Sequence, residues 1–119
     1  MQKNIDIFKN KTILLVNTGS IKKRFILQRI KKLGINLIVL NKEVNWAKSY
    51  VDQWILVDNK NHSESIRAIE KFMENNPEKK IDGAITFWED DVLLTSKIVD
   101  KFKFVGIPYS VSKKIRNKS

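Results

Sequence analysis

The chain has 119 residues, of which 42% are hydrophobic, and a formal net charge of +10. This length predicts one domain with a real core, and the absence of cysteine excludes disulfides, cysteine metal sites and a thiol nucleophile. The N-terminus lacks the apolar segment of a signal peptide, and no apolar run approaches the ~18 residues of a membrane span. We therefore expect a cytoplasmic protein with no membrane partner.

Five short apolar runs divide the chain, and they show no strict alternation of apolar and polar residues. Such runs are typical of strands that are buried on both faces, as in a parallel sheet. The predicted strands are residues 12–17, 35–41, 54–58, 81–88 and 104–107.

Helical patterns separate these runs, with apolar residues recurring every three or four positions over 21–33, 62–75 and 89–102. Gly34 predicts the end of the first helix, and Asn61 predicts the N-cap of the second. One or two helical turns are expected near residues 46–50. The alternation predicts an α/β fold, a Rossmann-like three-layer domain with a five-stranded, mainly parallel sheet that spans residues 1–110.

Open α/β sheets bind ligands beyond the carboxyl ends of their strands. After the first predicted strand, Thr18, Gly19 and Ser20 offer backbone amides and hydroxyl groups that suit a phosphate or carboxylate. The alternative interpretation is that Gly19 only makes the turn and Ser20 only caps the next helix. A dinucleotide fingerprint needs three spaced glycines, so NAD and FAD are not expected here.

Three consecutive carboxylates, residues 89–91, follow the fourth predicted strand. Neighbouring helical residues point in different directions, so compensation of the helix dipole explains them better than a metal site does. We keep Glu89, which is nearest the strand end, and the adjacent Trp88 as ligand-contact candidates. His62, the only histidine, is predicted to lie at the surface. A response-regulator receiver is excluded, because Asn17 and Pro108 stand where its acidic residue and lysine belong.

Three motifs together resemble the N-terminal, pre-ATP-grasp domain of ATP-grasp carboxylate–amine ligases. Residues 50–58 are similar to the approach to the third strand, and 81–89 to the fourth strand and its helix. Residues 104–108, followed by Arg-Asn-Lys at 116–118, are similar to the family's glycine-bearing fifth strand and its Arg-Asp-Lys signature. The resemblance covers residues 12–119, with Asn117 in place of the aspartate.

The resemblance implies a ligase in which ATP phosphorylates a carboxylate, an amine attacks the acyl phosphate, and Mg²⁺ relieves phosphate charge. Lys118 would contact the ATP phosphates. Residues Thr18, Gly19, Ser20, Trp88 and Glu89 would face a carboxylate or amino-acid substrate.

Residues 111–119 would begin the connection to an ATP-grasp domain beyond the chain. We therefore expect that this fragment is inactive alone, that ATP and Mg²⁺ bind only in the full-length parent, and that the rest of the polypeptide is its partner. A homodimer is compatible with this interpretation.

The distribution of basic residues suggests an alternative function. Six of the eleven residues 22–32 are basic and none is acidic, and four more basic residues crowd 113–118. A standalone basic α/β module that binds nucleic acid is the second hypothesis. It ranks lower because aromatics interleaved with the basic residues are missing. A small-molecule sensing domain that uses the strand-end crevice is the third.

Overall fold

A computed structural model describes residues 9–106 of the chain. Its five strands are β1 (Thr12–Val16), β2 (Asn36–Asn41), β3 (Gln53–Leu56), β4 (Gly83–Ile85) and β5 (Val105–Gly106). The three α-helices are α1 (Arg24–Lys32), α2 (His62–Asn75) and α3 (Val92–Phe102). Short 3-10 turns stand at Ile21–Lys23, Trp46–Ser49 and Glu89–Asp91. The predicted α/β class, the order of elements and the five strands are therefore confirmed.

All strand pairs are parallel, and the order across the sheet is β3-β2-β1-β4-β5. Strand β1 therefore lies at the centre, with β2 on one side and β4 on the other. Along the chain the sheet first grows outward from β1 to β3 and then restarts on the opposite side of β1. Because right-handed crossovers in opposite directions place their helices on opposite faces, this order requires three layers.

Two apolar clusters confirm the three layers. On one face Leu14 and Val16 of β1 pack with Ile69 of α2 and Ile98 of α3. On the other face Leu15 packs with the buried side of α1 and with the short turn that contains Ala47. Adjacent residues of β1 thus serve opposite faces, which is why its sequence is continuously apolar rather than alternating.

The local signals for helix ends hold in the structure. Asn61 caps α2, its Oδ1 accepting from the Glu64 backbone N–H at 3.1 Å. Gly34 follows α1 with φ +79°, a conformation that glycine adopts without steric cost. The predicted first and third helices each begin instead with a 3-10 turn.

The fourth strand is shorter than the predicted range 81–88 at both ends, and Thr86 explains where it stops. Its hydroxyl donates to the Val16 carbonyl at 3.1 Å and accepts from the Trp88 backbone N–H at 3.2 Å. These side-chain hydrogen bonds replace the backbone hydrogen bonds between strands, and the chain leaves the sheet after Ile85. Ile107, at the end of the fifth predicted strand, lies outside the described residues.

Two carboxylates cap backbone N–H groups at the amino edge of the sheet. Asp82 accepts from the Thr12 N–H at 2.8 Å, and Asp52 accepts from the Leu37 N–H at 2.7 Å and from Lys31 Nζ at 2.8 Å. Partial burial by itself raises the pKa of Asp52. The Lys31 and Leu37 hydrogen bonds and the positive charges of Lys31 and Lys79 outweigh it, so the pKa lies below its ordinary value.

We expect Asp52→Asn to lower the free energy of unfolding at neutral pH by about 1 kcal/mol or less, since the ion pair is partly exposed to solvent. A lowered pKa stabilises the fold above the unfolded-state value of about 3.9 and loses that contribution as the pH falls further. Urea unfolding from pH 7 to pH 3 should therefore show the gap between wild type and variant closing below about pH 4. Asp100→Asn, at an exposed aspartate of α3, is the control; a gap for Asp52→Asn that persists at pH 3 would contradict the assignment.

Candidate functional site

The candidate site lies at the carboxyl edge of the sheet, where the loops after β1 and β4 meet. These two strands are neighbours, and the strand order reverses between them. A crevice at such a reversal is the usual ligand position in an open α/β sheet. The structure thus places the turn of Thr18, Gly19 and Ser20 beside the loop that contains Trp88, whose ring lies against Gly19.

Two indole rings hold the turn after β1. Trp88 Nε1 donates to the Asn17 carbonyl at 3.1 Å, and Trp46 Nε1 donates to the Gly19 carbonyl at 3.0 Å. Gly19 has φ +71°, and a Cβ built on it would lie 2.1 Å from Trp88 Cζ2. Glycine at position 19 therefore serves two purposes, a left-handed backbone and the close approach of an aromatic ring.

Two backbone amides of this turn, those of Thr18 and Gly19, already have acceptors within the protein. The Gly19 N–H donates to Asn17 Oδ1 at 3.0 Å, and the Thr18 N–H lies 3.5 Å from Asn41 Oδ1. Ser20 Oγ accepts from the Lys22 backbone N–H at 3.2 Å. The alternative interpretation from the sequence, a glycine turn followed by a serine cap, is thus part of the observed geometry. An anion would have to compete with these side-chain acceptors for the Thr18 and Gly19 amides.

The five sequence-predicted site residues differ in accessibility. Thr18 is buried, and its Oγ1 accepts from Asn45 Nδ2 at 2.7 Å. Gly19 and Trp88 are half-buried, whereas Ser20 and Glu89 are exposed. Ser20 and Glu89 are thus the most exposed members of the set. Lys118, the predicted phosphate contact, lies outside the described residues.

Asp91 differs most from what the sequence predicted, which was that residues 89–91 together compensate a helix dipole. Glu89 and Asp90 are exposed, but Asp91 is only 4% exposed. Its carboxylate accepts from Asn17 Nδ2 at 3.0 Å and from Asn59 Nδ2 at 2.5 Å. The sequence shows Asn17, Asn41 and Asn59 at the ends of predicted strands. Nothing in the sequence indicated that the Asp91 carboxylate would accept hydrogen bonds from two of them, Asn17 and Asn59.

Within residues 9–106, no group of three His, Cys, Asp or Glu side chains is placed to hold a metal ion. His62 is half-buried rather than fully exposed, and its Nδ1 lies 3.1 Å from Lys97 Nζ. No helix in the described part of the chain is long and apolar enough to cross a bilayer.

A cavity lies at the other end of the sheet. It has a volume of about 530 Å³ and is lined at the amino edge by polar residues that include Asp52, Lys79 and Asp82. Both of these carboxylates are engaged with backbone N–H groups, as described above. The cavity therefore does not coincide with the strand-end crevice that the fold favours.

The contact between Gly19 and Trp88 makes a testable prediction. Gly34 also has a positive φ, but a Cβ there would meet the flexible Lys9 side chain, with Cγ at 3.2 Å. Gly19→Ala and Gly34→Ala therefore share the backbone cost, and only the first forces the indole aside. We expect Gly19→Ala to lower the free energy of unfolding by about 1–3 kcal/mol more than Gly34→Ala does, and to change the near-UV circular dichroism of the indoles. Equal costs and unchanged spectra would show that Trp88 does not pack on Gly19.

The chain is similar to known proteins in both sequence and structure. No family model matches the chain. Carnosine synthase 1 of Gallus gallus is 22% identical over 116 residues, which is 95% of this chain and 12% of the relative. Carnosine synthase 1 of Homo sapiens is 24% identical over 108 residues, 87% of this chain and 13% of the relative. The chain thus spans about an eighth of the length of these relatives.

Solved structures with similar folds are ligases and synthetases. An L-amino acid ligase from Bacillus licheniformis superposes with a TM-score of 0.69 at 15% identity, covering 89% of this chain and 27% of the ligase. Phosphoribosylglycinamide synthetase from Anaerococcus prevotii has a TM-score of 0.67 at 22% identity, covering 85% and 24%. N5-carboxyaminoimidazole synthetase from Staphylococcus aureus, complexed with ADP, has a TM-score of 0.61 at 15% identity, covering 93% and 26%.

These neighbours are ATP-grasp ligases, and each is matched over most of this chain but only about a quarter of its own. The parallel sheet with its helices on both faces agrees with the domain that the motifs at 50–58 and 81–89 predicted. The chain therefore has the fold of the N-terminal domain of ATP-grasp ligases, as its sequence predicted.

Proposed function

We propose that this chain is the substrate-side domain of an ATP-grasp ligase that couples a carboxylate to an amine. The single observation that carries the proposal is the fold match to an L-amino acid ligase over 89% of the chain. The sequence match to carnosine synthase supports the same class independently of the coordinates. Both relatives favour an amino acid as the substrate. The domain division at residue 110 and a cytoplasmic location belong to the same proposal.

The chemistry that we propose for the complete enzyme has two steps. A carboxylate oxygen of the substrate attacks the γ-phosphorus of ATP, so that an acyl phosphate forms and ADP leaves. The amine then attacks the acyl carbon, an amide bond forms, and inorganic phosphate leaves with the carboxylate oxygen. Enzymes of phosphoryl transfer rely on positioning and on stabilising negative charge more than on covalent catalysis.

In this scheme the described residues position the substrate rather than transfer its phosphoryl group. Ser20 and Glu89 would contact the substrate, and Thr18, Gly19 and Trp88 would shape the wall of the crevice. The Lys118 ammonium would meet the ATP phosphates. The ligase family implies Mg²⁺ as well; within residues 9–106 no group of three His, Cys, Asp or Glu side chains is placed to hold a metal ion. No step that this part of the chain performs is therefore assigned to the ion.

Turnover of the complete polypeptide tests the proposal. The polypeptide encoded by the whole reading frame should release phosphate from ATP only when a suitable amino acid and amine are present, and should form one amide per phosphate released. Substrate labelled with ¹⁸O in its carboxylate should transfer label to phosphate, and hydroxylamine should trap a hydroxamate. The 119-residue chain alone is the matched control and should be inactive. Phosphate release that is independent of amino acids, or an unlabelled phosphate product, would contradict the mechanism.

Glu89 provides a more local test. Glu89→Gln removes an exposed charge at the crevice, so we expect the KM for the amino-acid substrate to rise on the order of tenfold with little change in kcat, as when one charged contact to a bound substrate is lost. Glu74→Gln, at an exposed residue of α2, is the control and should leave both constants unchanged. An unaltered KM in Glu89→Gln would remove this residue from the site.

The nucleic-acid alternative depends on charge alone. Two of the six basic residues in 22–32 have partners in the structure, since Lys31 pairs with Asp52 and the Arg29 guanidinium lies 5.5 Å from the centre of the Phe25 ring. The hypothesis requires binding to duplex or single-stranded oligonucleotides that weakens steeply with salt. Absence of binding at low salt would exclude it.

A further inference from the structure

Asp91 joins three of the loops that form the carboxyl edge. One carboxylate oxygen accepts from Asn17, in the loop after β1, and the other from Asn59, in the loop after β3. Its backbone belongs to the loop after β4, where its N–H donates to the Trp88 carbonyl at 3.0 Å and its carbonyl accepts from Thr95 Oγ1 at 2.8 Å. A buried polar side chain of this kind stabilises a unique arrangement only when all its partners are in place.

The contact with Asn17 determines the orientation of an amide. An asparagine side chain presents an oxygen at one end and an NH₂ group at the other. Both carboxylate oxygens of Asp91 accept hydrogen bonds, so the NH₂ end of Asn17 faces Asp91. The Asn17 oxygen then faces the other way, where it accepts from the Gly19 N–H at 3.0 Å.

That orientation matters because Asn17 has an unusual backbone. Its φ is +73°, a left-handed conformation that asparagine tolerates better than most residues but does not favour. The hydrogen bond that the Gly19 N–H donates to Asn17 Oδ1 closes the turn. The Trp88 indole N–H donates to the Asn17 carbonyl and so holds the same residue from the other loop. A hydrogen-bonded chain thus runs from Asp91 through Asn17 to Gly19.

We propose that Asp91 is a positioning residue of the candidate site. It orients the Asn17 amide and thereby sets the conformation of the turn formed by Thr18, Gly19 and Ser20, without contacting a ligand itself. The consequence for substrate binding rests on the proposed function, but the control of the turn does not. Asparagine at position 91 would have nearly the same size as aspartate. Its NH₂ group would face the NH₂ group of either Asn17 or Asn59, so position 91 needs a side chain that only accepts hydrogen bonds.

The side chains at positions 17 and 91 can be exchanged without loss of their hydrogen bond. In Asn17→Asp the two carboxylates repel, and in Asp91→Asn the donors oppose each other. In the double variant, the new carboxylate at position 17 accepts from both the Gly19 N–H and the new amide at position 91, whose oxygen still accepts from Asn59. The double variant also conserves the net charge. It therefore separates the hydrogen-bond pattern from charge and volume.

Hydrogen exchange of the 119-residue chain, followed by NMR, is the test. We expect Asp91→Asn and Asn17→Asp each to accelerate exchange of the Gly19 amide about tenfold or more relative to that of the Ile38 amide, a core amide of β2 that reports global opening. The double variant should return the ratio to near the wild-type value. Equal acceleration at Gly19 and Ile38, no change at Gly19, or a double variant no better than the single ones would each overturn the proposal.

Asn17→Gly provides a second test of the same hydrogen bond if Asp91→Asn fails to fold. Glycine accepts the positive φ of position 17 and removes the amide, so the Gly19 amide should exchange as rapidly as in the single variants. Wild-type protection of Gly19 in Asn17→Gly would overturn the proposal by itself.

The same variants in the complete polypeptide distinguish this proposal from the proposed function. The single variants should raise the KM for the amino-acid substrate, and the double variant should restore it. If the polypeptide has no amino-acid-dependent turnover, the proposed function fails, while the exchange ratios still decide the role of Asp91.

Discussion

The parallel pairing of β1 with β2 on one side and β4 on the other is the constraint on which the rest of the molecule depends. It places the carboxyl ends of all strands at one edge and puts the reversal of strand order next to the Asn17–Ser20 turn. It also divides the apolar residues between two faces. Helix α1 covers one face, and α2 and α3 cover the other. The position of the candidate site thus follows from topology before any side chain in it is considered.

The sequence predicted the elements well where the signal was local. Asn61 caps α2, and Gly34 ends α1, because each signal depends on a few neighbouring residues. The continuous apolar runs also indicated a doubly covered sheet correctly. The end of β4 was missed because the Thr86 hydroxyl bonds to a carbonyl seventy positions away, and no local pattern reports such a contact.

The candidate site was predictable in place but not in detail. The topology rule located Thr18, Gly19, Ser20, Trp88 and Glu89 at the carboxyl edge, and the structure places them there. The sequence could not distinguish three consecutive carboxylates, because the 3-10 turn at Glu89–Asp91 turns only Asp91 inward. It likewise gave no sign that Trp46, far along the chain, would donate to the Gly19 carbonyl.

The amide groups around Asp91 have a consequence for the chemical ageing of the protein. Asparagine side chains are among the thermolabile groups of proteins, and their hydrolysis yields a carboxylate. At position 17 or 59 this change would set a second negative charge against Asp91 and replace a donor with an acceptor. The apolar layers would be untouched, since neither asparagine belongs to them. Hydrolysis at either position would therefore act first on the strand-end loops, and an assay that follows only the apolar layers would overstate the fraction of intact sites.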